Sequence, residues 1–132
     1  HPYGGAEGAM FETCPCGSGR GYLACCGRIH SGAPADSAAA LMRARYAAFA
    51  RGDVGFLMKS WAPETRPAML DLDPAQTWTK LAIEAEEITG PDTATVRFTA
   101  SWRRGARKGR LSETSRFRRD GATWVYVDGD LH

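Results

Sequence analysis

Apolar and polar positions change period partway along the chain. In the first half Leu41, Met42, Arg45, Tyr46, Phe49 and Ala50 fall on one broad face at helical spacing. Asp36 or Ser37 can cap this helix, and Gly52 can close it, because glycine takes a left-handed conformation at little steric cost. The pattern predicts a helix over Ala38–Arg51. Asp53 caps a second, shorter helix with Val54, Leu57, Met58 and Trp61 as its apolar stripe, and Pro63 stops it. Residues 62–72 read as loop. Asp73-Pro74 sets a cap before a first-turn proline, which predicts one helical turn over Ala75–Trp78.

From Thr79 the period is two. Leu81, Ile83 and Ala85 alternate with polar residues up to a turn at Gly90-Pro91-Asp92. The next strand carries Ala94, Val96, Phe98, Ala100 and Trp102 on one face and Thr95, Arg97, Thr99, Ser101 and Arg103 on the other. A basic turn from Arg104 to Gly109 leads into a third strand, Arg110 to Arg119. Asp120-Gly121 is a hairpin signal, and Thr123 to Asp128 forms the last strand. Helices followed by an antiparallel meander define an α+β domain.

Length and charge narrow the class. At 132 residues the chain holds one domain and a small appendage, enough to bury about two-thirds of its unfolded surface. No run approaches the ~20 apolar residues that a membrane helix needs. A net charge of +2 is too small to imply a polyanionic partner from overall balance. Residues 1–9 have no periodicity and precede the first methionine, Met10; they are expected to be an expression remnant or disordered, outside the fold.

All four cysteines lie in one short stretch, Cys14-Pro15-Cys16 and then Cys25-Cys26. Four thiols so close can surround one soft divalent ion, and zinc favours tetrahedral thiolate. Pro15 and Gly17-Ser18-Gly19 supply the sharp turn that aims the first pair. Ser18 can cap a short helix through Arg20 to Ala24, which brings Cys25 and Cys26 back to the ion. Four thiolates around a dication leave negative charge, which Arg20 and Arg28 can offset. A closed thiolate site has no open position for water, so the metal is expected to be structural. His30 is a spare ligand candidate, and two crossed disulfides are the competing arrangement. Clustered cysteines without a secretory pattern favour a reducing cytoplasm.

The run Cys-Pro-Cys-Gly-Ser-Gly…Cys-Cys-Gly resembles the SEC-C motif first noted at the C-terminus of SecA. There the motif holds zinc and docks on the export chaperone SecB and on ribosomes. The rest of the chain is similar to the YchJ family of uncharacterised bacterial proteins. The likeness rests on Leu41 to Phe49, Gly52-Asp53, Trp61, Glu113 to Phe117 and Trp124 to Gly129. It implies a cone-shaped, nuclear-transport-factor-2-like (cystatin-like) domain, with helices packed on the concave face of a curved antiparallel sheet. On this reading residues 10–30 are the zinc motif and 36–132 the cone. Members often carry a histidine where Ala62 stands, and many have a second cysteine motif past the position of His132. This sequence is therefore expected to hold one metal site.

A cone encloses a cavity, and one anomaly points into it. Leu111 and Phe117 mark the inward face of the third strand, and Glu113 and Ser115 share that face. A carboxylate among apolar neighbours needs a partner. Arg45 on the first helix is the candidate, with Tyr46, Trp61 and Tyr126 lining the same space. The plainer interpretation is a structural ion pair, or a Glu113 at the cone's rim. With no histidine inside the cone, Glu113 or Asp128 would carry any acid–base work. Trp78, Trp102 and Trp124 read as packing. The turn with Arg103, Arg104, Arg107, Lys108 and Arg110 has no acid and reads as a solvated tip or a weak contact for nucleic acid or the ribosome. No aromatic residue interleaves it, which argues against base stacking.

The first functional reading is a non-enzymatic, zinc-binding module. Its knuckle meets a protein partner, and its cone binds a second partner or forms a homodimer through the sheet; no membrane is involved. The alternative is a small-molecule binder or enzyme that uses the cavity around Glu113.

Overall fold

The computed structural model describes residues 12–132. The remnant or disordered segment expected at residues 1–9 lies outside the described residues. A 3₁₀ turn at Tyr22–Ala24 and helix α1 (Cys26–His30) form the N-terminal knuckle. Helices α2 (Ala38–Arg51) and α3 (Val54–Lys59) follow. The chain ends in strands β1 (Gln76–Gly90), β2 (Thr93–Arg104), β3 (Arg107–Asp120) and β4 (Thr123–Leu131). They form one antiparallel sheet in sequence order, an α+β meander as the periodicity predicts.

Local chemistry accounts for α2. Ser37, not Asp36, is the cap: its hydroxyl accepts the Ala40 N–H at 3.0 Å. Gly52 ends the helix at φ +73°, left-handed as expected. The small side chains of Ala44, Ala47 and Ala48 are fully buried, so α2 can approach its neighbours closely on more than one side. One side meets β1, β2 and β4 of the sheet, and another meets the knuckle. The four cysteines and the strand residues Val96, Phe98 and Phe117 belong to one continuous core. The segment Ser31–Ala35 is pinned as well. Ala33 N–H donates to Arg28 O at 2.9 Å, and Ala35 N–H donates to Thr123 Oγ1 at 3.1 Å.

Four local expectations are corrected. Ala75–Trp78 is not helical: β1 starts at Gln76, opposite Arg104. Asp73 Oδ1 accepts the Ala75 N–H at 2.9 Å and makes a turn, after which Gln76, Thr77 and Trp78 pair with the waiting edge of β2. The basic turn is only Gly105-Ala106, with Gly105 at φ +62°, and Arg104 pairs with Arg107. Most of the cations therefore stand on strands. Strand β4 runs on to Leu131, which faces Glu113. Helix α3 ends at Lys59 before Pro63 can act; Trp61 leaves the helical stripe and bridges Tyr126 in parallel. Tyr126 N–H donates to Ser60 O at 2.8 Å, and Ala62 N–H donates to Tyr126 O at 2.7 Å. The β4 edge is thereby occupied along this stretch.

Candidate metal centre and cone pocket

The turn after Cys14 is built by backbone geometry. Gly17 and Gly19 stand at φ +85° and +83°, a region that side chains with a Cβ rarely enter. Cys14 N–H donates to Arg20 O at 2.9 Å and Gly17 N–H to Cys14 O at 3.2 Å. The expected Arg20–Ala24 helix shrinks to the single 3₁₀ turn and has no side-chain cap. Ser18 Oγ instead accepts the Arg20 N–H and lies 3.2 Å from Cys25 Sγ. Cys25 and Cys26 sit at the junction between the 3₁₀ turn and α1.

The four sulfurs converge. All are buried, and the Sγ atoms lie within 4.8 Å of one another. Cys16 Sγ is 3.6 Å from Cys25 Sγ, and Cys25 Sγ is 4.0 Å from Cys26 Sγ. A tetrahedral ion with bonds of about 2.3 Å to sulfur has sulfur–sulfur edges of about 3.8 Å, so the donor set fits such an ion. The separations are far beyond the ~2.05 Å of a disulfide, and all four thiols are free. The crossed-disulfide arrangement is thus excluded in this structure. Crowding splits the thiols by charge. Hydrogen bonding from Cys26 pulls Cys16 down to about 4, the same bond drives Cys26 far up, and burial raises Cys14. The raised Cys14 and Cys26 thiols give up their protons readily only beside a cation, the condition under which a metal binds.

Positive charge surrounds the quartet. Arg20 Nη2 lies 3.7 Å from Cys25 Sγ. Arg28 shares a cleft with Cys25 and Cys26, as expected. The sequence reading missed Arg43, whose Nη1 donates to Cys16 O at 3.2 Å and ties the knuckle to α2. Its signal was helical phase, since Arg43 lies off the sheet-facing stripe. His30 is not a ligand. Its Nδ1 is 2.6 Å from the Tyr22 hydroxyl and its Nε2 is 2.8 Å from Ala44 O, so the ring bridges knuckle and helix.

The cone holds a second candidate site, a cavity of about 210 Å³. It gathers Arg45, Tyr46, Trp61, Glu113 and Tyr126, as the sequence predicts. Met42, Phe49, Trp78, Phe98, Ala100, Leu111 and Ser115 complete its wall. The expected Arg45–Glu113 ion pair is absent among the described residues. Arg45, only 3% exposed, spends Nη1 on Leu57 O at 2.9 Å and on Ser60 Oγ at 2.7 Å. Its guanidinium lies in the corner between two perpendicular rings, 4.9 Å from the Trp61 centroid and 4.4 Å from that of Tyr126. Burial pulls it down to about 10, so it stays cationic at neutral pH. Glu113 Oε2 instead accepts the Ser115 hydroxyl at 2.5 Å and the Tyr126 hydroxyl at 3.4 Å. Burial pushes Tyr126 up to about 12. Asp128 points away, paired with Arg116 on the exposed face.

At the hairpin tip, Arg103, Arg107, Lys108 and Arg110 are exposed and join no ion pair among the described residues, whereas Arg104 pairs with Asp73 at 3.2 Å. The aromatic-free reading of the tip is corrected: Trp102 pairs with Gly109 across the strands and lies against it, where a Cβ would collide with the indole. Counting the register back from the two-residue turn would have revealed this contact.

A curved four-stranded sheet with helices on its inner face and a thiol quartet at its N-terminal side defines a nuclear-transport-factor-2-like domain with an attached cysteine knuckle. A model of the SEC-C motif matches residues 12–28, and one of the YchJ middle NTF2-like domain matches residues 37–129. The chain belongs to the UPF0225, YchJ-like family. It is 50% identical over 121 residues to UPF0225 protein SCO1677 of Streptomyces coelicolor, covering 89% of this chain and 94% of that one. A UPF0225 protein of Xanthomonas campestris is 47% identical over 120 residues, covering 89% and 93% of the two chains. The solution structure of a SEC-C motif containing protein from Rhodopseudomonas palustris superposes with a TM-score of 0.80 at 31% identity, covering 91% of this chain and 98% of that one. No described helix is long and apolar enough to cross a membrane.

Proposed function

We propose that the four cysteines hold one structural zinc ion in a reducing compartment such as the cytoplasm, and that the rigid knuckle so formed docks a protein partner. The observation that carries this reading is the contrast across the knuckle. The sulfurs are buried beneath, while Leu23, 53% exposed, stands on the outside with exposed Arg20 and Arg28 nearby in sequence. An exposed apolar side chain with cations close by in sequence suits a partner segment that is apolar and acidic. The closed donor set supports a structural ion, and the His30 and Arg43 bonds to α2 and the pinned linker support a knuckle presented at fixed orientation.

The test separates metal from docking. Protein purified without added zinc is expected to carry about one equivalent. A Leu23→Ser variant is expected to keep the zinc and lose the partners that wild type captures from a bacterial lysate. Capture unchanged in that variant would remove the knuckle as the docking surface, and purified protein free of metal would remove the zinc.

Trp102 among unpaired cations favours a second reading, a polyanion contact at the hairpin tip. Salt-sensitive retention on single-stranded RNA, lost on replacement of Arg107 and Lys108 by Glu, would support it; retention unaffected by salt or by those changes would refute it.

A further inference from the structure

The cone pocket contains two opposite charges that do not meet. Arg45 has five N–H groups. Those on Nη1 are spent on Leu57 O and Ser60 Oγ, while Nε and Nη2 have no acceptor among the described residues. Leaving donors of a buried cation unmade is expensive, and here they border a cavity. Glu113 presents the complementary half: Oε2 is occupied by Ser115 and Tyr126, whereas Oε1 has no donor. A third group is also unspent, since Trp61 Nε1 is buried without an acceptor among the described residues.

The shape limits the occupant. A cavity of about 210 Å³ is below the ~300 Å³ where drug-sized ligands begin, so it suits a body of one ring. Phe49, Trp78, Phe98 and Leu111 supply apolar, mostly flat walls. The charges limit it further. An anion would pair with Arg45 but face Glu113, and a cation would do the reverse. A neutral head with an acceptor beside a donor satisfies both. We propose that this pocket binds a small planar ligand, one aromatic or heterocyclic ring bearing an amide-type edge, with its carbonyl on Arg45 and its N–H on Glu113. This site is independent of the zinc reading, because none of its residues belongs to the knuckle.

Ligand-observed NMR on the full chain tests it with four probes of one size: benzamide, benzoate, benzylamine and toluene. Benzamide is expected to bind with a dissociation constant of about 1 mM, about tenfold tighter than each of the others. Glu113→Gln removes the negative charge while keeping the shape, and is expected to raise benzoate affinity about tenfold, erasing the preference. Ala100→Phe, which fills the cavity from β2, is expected to abolish binding of all four; a far-ultraviolet spectrum matching wild type confirms that it folds. Benzoate, benzylamine or toluene binding wild type as tightly as benzamide would overturn the proposal. So would the absence of saturable benzamide binding up to about 20 mM, or a Glu113→Gln protein with an unchanged preference.

Discussion

The Arg45 guanidinium carbon lies 4.4 Å from the centre of the Tyr126 ring, so a helix cation and a strand aromatic hold α2 to β4. Arg45 also ties α2 to α3 through Leu57 O and Ser60 Oγ. Arg45→Ala removes packing and both bonds, and is expected to cost about 3 kcal/mol in urea denaturation. Arg45→Met keeps most of the volume, and Ser60 Oγ still donates to Leu57 O, so the cost should be nearer about 1 kcal/mol. Equal losses in the two variants would mean that the charge, rather than the packing, matters.

Gly27 is a second point of close approach. A Cβ there would stand 2.6 Å from the Tyr22 carbonyl oxygen and 3.0 Å from the Tyr22 ring. The oxygen is backbone and accepts the Cys25 N–H, so it cannot move without shifting that cysteine. Gly27→Ala should lose about 1–3 kcal/mol by overpacking and weaken metal retention, measured as zinc released to a chelator. Retention equal to wild type would show that the knuckle relaxes without disturbing the thiols.

Metal removal should act locally. The sheet makes its own hydrogen-bond ladder, whereas the knuckle has only a 3₁₀ turn and a five-residue helix. Chelation is expected to lower the thermal midpoint by several degrees and to raise hydrogen exchange over residues 12–30, leaving β2 and β3 protected. Exchange rising equally in the strands would place the ion at the centre of the whole fold.

Alkaline pH should destabilise the protein in a defined window. Burial holds both Tyr46 and Tyr126 at about 12, against about 10 in an unfolded chain. With the folded value raised, their contribution is intact below pH 10 and is lost as pH rises from about 10 to about 12. Stability should fall across that interval, and a Tyr46→Phe, Tyr126→Phe variant should fall less steeply. A variant with the wild-type slope would assign the alkaline loss to other groups.

The helix cap at Ser37 should behave independently of these sites. Ser37→Ala leaves the Ala40 N–H without its partner and is expected to cost about 1 kcal/mol. A change below about 0.3 kcal/mol would mean that water replaces the hydroxyl.

Elements specified by near neighbours were legible in the chain. The stripe of α2 with its glycine stop and the alternation along β2 depend on residues a few positions apart and lie where the pattern puts them, and the hairpin that Asp120-Gly121 signals forms one residue on, at Gly121-Ala122. The cysteine quartet was legible for the same reason: its turn is sealed by bonds within residues 12–26. The Ala75–Trp78 turn was misread because its outcome depended on a strand 25 residues later. A proline after an aspartate starts a turn in either case, but the open edge of β2 offered more hydrogen bonds than one isolated helical turn.

The pocket shows the same division. Alternation on β3 alone placed Glu113 inward, and helical phase alone placed Arg45 on the buried face. Whether those two charges would touch was a matter of distance across the cone, which the packing of Arg45 against Trp61 and Tyr126 decides. Order along the chain specifies which face a side chain occupies, since that follows from backbone period. Which partner it meets there is decided by how helix, loop and sheet pack, because contact energies fall off within a few ångströms while packing shifts by as much.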